Sequence, residues 1–176
     1  RRAVLVLCAD NGVVAQGVSQ TDASVTRAVL ENLTARRTSV CRMAAAARCA
    51  VVPVDMGIAG APVVGAADYR IAPGTRDFTV GPAMTRAQAV QAIAAGLALV
   101  RAQKRAGVQL LATGEMGIGN TTTSSAVASV LLGRPVAEMT GRGAGLSDAG
   151  LRRKIEVIER GIAVNRPDAA DPLGVL

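Results

Sequence analysis

The sequence predicts an α/β fold, a parallel sheet with helices on both faces, and three observations carry that prediction. Ala3–Ala9 (AVLVLCA), Val51–Val54 and Val108–Ala112 are short continuous apolar runs, the pattern of strands covered on both sides. Segments with helical spacing separate them. Each run leads into a polar, glycine-bearing stretch: Asp10-Asn11-Gly12, Asp55-Met56-Gly57 and Thr113-Gly114-Glu115. In a parallel sheet those three stretches gather along one edge, where ligands of open α/β sheets bind.

The elements follow in order. Ala3–Ala9 is the first strand, ended by a turn at Asp10-Asn11-Gly12, residue types that favour turns. Val13–Ser24 is a loop of small polar residues. Val25–Leu33 and Thr38–Ala47 are helical, the first with Val25, Ala28, Val29 and Leu33 on one face. Val51–Val54 is the second strand. Gly57–Thr75 is rich in Gly and Pro and long for a structureless loop, so it is functional or carries short strands. Thr85 and Gln88 form an S/T-x-x-Q capping box that opens a helix running through Ala106. Gly107 stops that helix at the usual C′ position, and its apolar stripe is Val90, Ile93, Ala94, Leu97 and Val100. Val108–Ala112 is the third strand, and Ala126–Leu132 is helical and closed by Gly133. Arg134–Asp148 is a loop with a second glycine-rich stretch, Thr140–Gly145. Leu151–Val164 is the last helix, with Leu151, Ile155, Ile158 and Ile162 on one face, ended by Asn165-Arg166-Pro167.

Composition narrows the function. The chain has 176 residues, enough for a single α/β domain that buries roughly 70% of its unfolded surface. Half the residues are hydrophobic but 1% are aromatic, so the core is aliphatic. With no histidine, Ser-His-Asp and Cys-His nucleophiles are excluded, and so is most zinc chemistry; no metal site is expected. Cys8, Cys41 and Cys49 form no CxxC pair and sit in apolar contexts, which fits buried thiols in a reducing, cytoplasmic compartment. No apolar run reaches membrane-spanning length, and no membrane partner is expected. The net charge of +7 comes from 20 Lys and Arg against 13 Asp and Glu. The arginines are scattered along the sequence, and one Tyr and one Phe leave no platform for stacking bases. The charge fits small anionic ligands, and no nucleic acid is expected.

Leu110–Ser125 (LLATGEMGIGNTTTSS) carries the chemistry. An apolar run, a turn punctuated by Gly114, Gly117 and Gly119, and a Thr/Ser cluster opening a helix make the arrangement that holds an anion. The stretch has no Gly-Lys-Ser/Thr and does not fit G-x-G-x-x-G, so it is neither a Walker A loop nor a dinucleotide fingerprint. Glu115, in its middle, would repel a phosphate it faced. It points instead into a backbone nest or toward a group that exchanges a proton. A plain polar connection, with Glu115 as a local cap, is the alternative.

Five strings in order resemble one family: Ala9–Val13, Gly17–Ser19, Gly81–Met84, Gly114–Thr122 (GEMGIGNTT) and Gly141–Leu146 (GRGAGL). The chain resembles the nicotinate-nucleotide–dimethylbenzimidazole phosphoribosyltransferases over its whole length, and it looks like the middle of the family's sequence. The resemblance implies a Rossmann-like three-layer fold, a homodimer, and transfer of phosphoribose from nicotinate mononucleotide to a benzimidazole-type base. It implies no cofactor. It assigns the 5′-phosphate to Gly117, Ile118, Gly119, Asn120 and Thr121, with Lys154 beside it. It assigns the base to a pocket of Asn11, Thr21, Ala28, Val29 and Met116. Asn11 stands where many members have His, Thr21 where Ser or an aromatic is common, and Val29 where some have Gln. The family's usual base, a glutamate in a Gly-Glu-Gly-Ser/Thr-Gly-like segment, is absent from these residues, which leaves Glu115 as the expected catalytic carboxylate. A truncated, inactive nucleotide- or phosphate-binding domain of the same fold is the alternative expectation.

Overall fold

The computed structural model describes all residues, 1–176. The element order is β1 (Arg2–Ala9), a 3-10 turn (Gly12–Gln16), α1 (Ser24–Thr34), α2 (Ser39–Ala46), β2 (Ala50–Gly57), β3 (Ala67–Asp68), α3 (Arg86–Arg105), β4 (Leu110–Met116), α4 (Asn120–Leu132), α5 (Val136–Met139), α6 (Asp148–Asn165) and α7 (Pro172–Val175). The chain divides into two compact units. The first comprises Arg1–Asp10, Ser24–Gly74 and Val90–Gly117; the second comprises Asn11–Ala23, Thr75–Ala89 and Ile118–Leu176.

The first unit holds the four-stranded sheet, in the order β3-β2-β1-β4. Every pairing is parallel, as the continuous apolar runs require. The pleat of β1 sorts its side chains to two faces. Val6 and Cys8 pack with Leu30 and Leu33 of α1 and Cys41 and Ala44 of α2. Leu5 packs on the opposite side with Val54 and Leu99 of α3. Helices therefore cover both faces, as expected. Burial pushes the Cys8 thiol up to about 12, with the Glu115 and Asp55 charges adding to the effect, so Cys8 is an inert packing group.

Three expectations are corrected. First, β4 runs through Met116 rather than stopping at Ala112. Gly114 and Glu115 are paired with Val6 and Leu7, so they belong to the sheet and not to the turn. Their glycine and acidic composition hid a strand that β1 holds extended through the backbone. Second, the α3 stripe of Val90, Ile93, Leu97 and Val100 is about half exposed, and Leu99 is the buried large side chain. Helical periodicity finds an apolar face; it does not say which face meets the sheet. Third, Arg134–Asp148 is not all loop, because Val136–Met139 forms α5. Its ends are tied by Thr140 Oγ1 donating to Val136 O at 2.6 Å and Ser125 Oγ donating to Met139 O at 2.9 Å.

The second unit is helical. The expected capping box opens α3: Thr85 N donates to Gln88 Oε1 at 2.8 Å and Gln88 N to Thr85 Oγ1 at 3.2 Å. Ser147 caps α6 by accepting from Gly150 N at 3.2 Å. Val13, Val18 and Val157 form a small core against Phe78. Phe78 lies over Gly161 of α6 so closely that a Cβ there would sit 2.1 Å from the ring. Asn165 fixes the same contact, donating to Phe78 O at 2.6 Å and to Gly161 O at 2.8 Å.

Gly161→Ala is expected to destabilise the protein by about 1–3 kcal/mol, the usual cost of overpacking, measured by urea denaturation. Adding Phe78→Leu should recover part of that loss. Additive losses in the double variant would mean that the Phe78 ring is not what the methyl group meets.

Candidate functional site

The site begins at the turn between β4 and α4. Gly119 caps α4 in a left-handed conformation (φ 87°), which favours glycine. Space also demands glycine: a Cβ there would sit 2.8 Å from Val14 Cγ2 and 3.4 Å from Asn11 Cβ. Asn11 holds the turn from that side, its Nδ2 donating to Ile118 O at 3.1 Å. Thr122 N and Thr123 N donate to Gly119 O at 2.9 and 3.3 Å, which closes the first turn of α4. Gly119, Asn120 and Thr121 thus stand at the positive end of a 13-residue helix.

Lys154, from the second turn of α6, reaches this helix end. It is 1% exposed. Its Nζ donates to Thr121 Oγ1 at 2.8 Å and to Gly141 O at 3.1 Å, both neutral oxygens. The chain's ion pairs involve other residues. A buried ammonium bonded to neutral oxygens attracts an anion strongly, because little solvent screens it. Burial lowers its pKa below the ordinary lysine value. Gly143, at φ 56°, crosses directly above: a Cβ there would sit 3.0 Å from Thr121 Oγ1 and 3.5 Å from Lys154 Nζ. The loop is further tied down by Gln20 Nε2 donating to Gly145 O, and by Arg142 bonding both Leu146 O at 3.0 Å and the Asp148 carboxylate. The structure thus brings Gly119, Asn120, Thr121 and Lys154 together. Sequence reasoning missed the role of Gly141 and Gly143. Their string was visible, but the fact that it folds over Lys154 depends on the packing of α4 on α6.

The remaining candidates divide. Thr21 is exposed in the second unit. Ala28, Val29, Glu115, Met116 and Gly117 belong to the first unit. There Ala28 is exposed, while Val29 and Met116 pack against the same core as Leu30 and Val6. Glu115 is an exposed residue of β4 one step before its end.

Carboxylates also end β1 and β2. Asp55 is 1% exposed, and its Oδ1 accepts from Gly57 N at 3.0 Å and Ile58 N at 2.9 Å. Arg70 Nε stands 3.8 Å from Asp55 Oδ2, and its Nη2 donates to Ile58 O at 2.7 Å and Gly60 O at 2.8 Å. Asp10 Oδ2 accepts from Ala59 N at 2.8 Å. These bonds fold residues 57–60 back over the strand end. No group of three or more His, Cys, Asp or Glu is placed to hold a metal.

A mainly apolar cavity of about 460 Å³ opens within the second unit, a volume typical of small-molecule sites. Asn11, Thr123, Phe78, Val127, Ile162 and Asn165 are among its walls. Asn165 Oδ1 is buried there without a hydrogen-bond partner. Periodicity marked Ile162 as a core position, and only the tertiary structure shows it facing a cavity.

A family model described as phosphoribosyltransferase matches residues 1–176. The chain is 47% identical over 174 residues to the nicotinate-nucleotide–dimethylbenzimidazole phosphoribosyltransferase of Ruminiclostridium cellulolyticum, covering 98% of this chain and 49% of that protein. It is also 47% identical to the enzyme of the same name from Desulforudis audaxviator, covering 100% of this chain and 50% of that one. Among solved structures it is similar to CobT from Thermus thermophilus, with a TM-score of 0.87 and 42% identity over 93% of this chain and 50% of that chain. The chain therefore spans about half the length of the relatives it matches.

The lowered Lys154 pKa fixes a sign. Lys154 gives up its proton at lower pH than a free lysine, so anion affinity should fall as pH rises toward the lysine range. A phosphate monoester is a suitable probe, because its second pKa is about 6 and its own charge is constant there. Calorimetric titration at increasing pH should show weakening in the unmodified protein and a flat, weak response in Lys154→Met. The same pH slope in both proteins would remove Lys154 from the anion site.

Proposed function

Taking as premise that the chain belongs to the nicotinate-nucleotide–dimethylbenzimidazole phosphoribosyltransferase family, we propose that it holds the phosphate-binding part of that reaction's active site. The reaction moves phosphoribose from nicotinate mononucleotide to 5,6-dimethylbenzimidazole. It gives α-ribazole 5′-phosphate and nicotinate and serves assembly of the cobalamin lower ligand. The observation that carries this reading is the buried Lys154 ammonium, bonded only to neutral oxygens at the N-terminus of α4. A 5′-phosphate dianion would supply the missing negative charge. It would accept from Lys154 and be favoured by the α4 dipole, an interaction worth up to about 2 kcal/mol when partly buried. Anchoring the phosphate fixes the ribose, so positioning supports the chemistry.

In the chemical step one benzimidazole nitrogen attacks the anomeric carbon. The bond from that carbon to the nicotinate nitrogen breaks, and its electron pair leaves with nicotinate. The benzimidazole loses its N–H proton to a carboxylate, the task of a general base. Glu115 is the carboxylate in this chain that we assign to it, as a secondary base or an orienting group. Asn11, Thr21, Ala28, Val29 and Met116 are the proposed contacts for the benzimidazole, with Gly117 and Ile118 completing the phosphate turn. The acting species is proposed to be a homodimer.

Two outcomes are expected. Lys154→Met should weaken nicotinate mononucleotide binding at least tenfold while changing benzimidazole binding less than twofold, as read by calorimetry. Equal losses for both ligands would refute the phosphate role. Glu115→Gln should slow nicotinate release by up to about a hundredfold, at the low end of general-base effects, with unchanged thermal stability. An unchanged rate would make Glu115 a structural residue. Nicotinate mononucleotide bound by the unmodified chain without nicotinate release would assign it binding rather than turnover.

A further inference from the structure

We propose that the end of the first unit opposite its strand-end carboxylates is a docking surface for an anionic lipid bilayer. The arginines look scattered along the sequence, but the topology collects them. Register places Arg2 beside Leu110 and Ala3 beside Ala50, so β1, β2 and β4 all start at one end. Every connection entering that end is basic. Arg36, Arg37, Arg42 and Arg48 lie between α1 and β2. Arg101, Lys104 and Arg105 lie in the last turns of α3, just before β4. Arg1 and Arg2 lead into β1. All of them are exposed, and none belongs to an ion pair of the chain.

Side-chain bonds make the surface continuous. Arg1 Nη1 donates to Ala106 O at 2.8 Å, past the end of α3. Arg2 Nη1 donates to Ala47 O at 3.2 Å, at the end of α2. Arg36 Nη1 donates to Val51 O at 2.7 Å, in β2. The segments that supply these cations carry no carboxylate of their own: the sequence has no Asp or Glu between Glu31 and Asp55 or between Asp77 and Glu115. Cations near helix C-termini do offset the helix dipole. That effect fades beyond the last turn, and it does not call for whole connecting segments without a carboxylate.

The partner follows from what accompanies the charge. Guanidinium groups favour phosphate-bearing surfaces. Two large apolar side chains stand among them, Met43 at 72% and Leu110 at 63% exposed. The two aromatic side chains, Phe78 and Tyr69, pack into cores elsewhere, so nothing here stacks on a base. Basic residues interleaved with exposed apolar groups and no stacking ring suit a headgroup layer better than a nucleic acid. The lack of a spanning run in the sequence predicts no membrane partner. No helix is long and apolar enough to cross a membrane, and surface docking needs none.

The test is co-sedimentation of the chain with phosphatidylcholine vesicles, with and without phosphatidylglycerol. Binding should require the anionic lipid and fall at high salt. Each cation near an anionic surface contributes about fivefold in affinity. The triple variant Arg37→Gln, Arg42→Gln, Lys104→Gln should therefore bind at least tenfold more weakly, with an unchanged melting temperature. The triple variant Arg134→Gln, Arg152→Gln, Arg153→Gln, with the same charge removed from the second unit, should bind nearly as well as the unmodified chain. Met43→Ser should weaken vesicle binding and leave the binding of duplex DNA unchanged. Equal binding to neutral and anionic vesicles would overturn the proposal, as would equal loss in both triple variants. Tighter, patch-dependent binding to duplex DNA than to vesicles would replace the membrane with a nucleic acid.

Discussion

Parallel pairing of β1 with both β2 and β4 is the constraint from which the first unit follows. Parallel strands share one beginning and one end, and each crossover must return the chain to the beginning. Asp10, Asp55 and Glu115 are therefore delivered to one edge, while the helices of the first unit lead back to the other. The unit is polarised as a result. Carboxylates stand where the strands finish, and cations stand where the chain re-enters the sheet. The carboxylate edge is tied to the backbone of the loop that follows β2, and the cations of the other edge belong to no ion pair of the chain.

In the second unit a comparable role falls to one buried charge. Lys154 is almost wholly removed from water, which is costly for an ammonium. Thr121 Oγ1 and Gly141 O satisfy two of its three protons but bring no net negative charge. The ammonium is thus hydrogen-bonded without a neutralising partner in its own chain, which is the electrostatic basis of the proposed phosphate site. The surrounding glycines shape the two loops. Gly119 takes a left-handed angle and is crowded by Val14 and Asn11, while Gly143, also left-handed, passes close over Thr121 Oγ1 and Lys154 Nζ; a side chain at either position would be strained.

The strand-end turns of β1 and β2 show how the carboxylate edge is kept rigid. Asp55 and Asp10 accept from the backbone N–H groups of residues 57–59, while Arg70 binds carbonyls of the same loop. The loop's direction is therefore set by side chains from the strands themselves. Cys8 lies beneath this edge as a protonated thiol, held so by burial and by the nearby carboxylates.

The sequence by itself determined the local structure and the chemical inventory. Continuous apolar runs marked β1 and β2, the Thr85–Gln88 box opened α3, and Gly107 and Gly133 ended helices in the left-handed conformation. Those features depend on residues a few positions apart, and that is why they are legible. The glycine turn was legible as a helix entry, left-handed at Gly119, and the family resemblance pointed to Lys154 beside it, where the structure bonds it to Thr121. The tertiary structure decided everything that depends on distant partners. It extended β4 through Met116 because β1 supplies the ladder, and it turned Val90, Ile93 and Leu97 outward because Leu99 meets the sheet. It laid Gly141 and Gly143 over Lys154, and it gathered arginines far apart in sequence into one surface. Periodicity and capping record short-range forces, while burial, register and electrostatic company arise only when the strands are brought side by side.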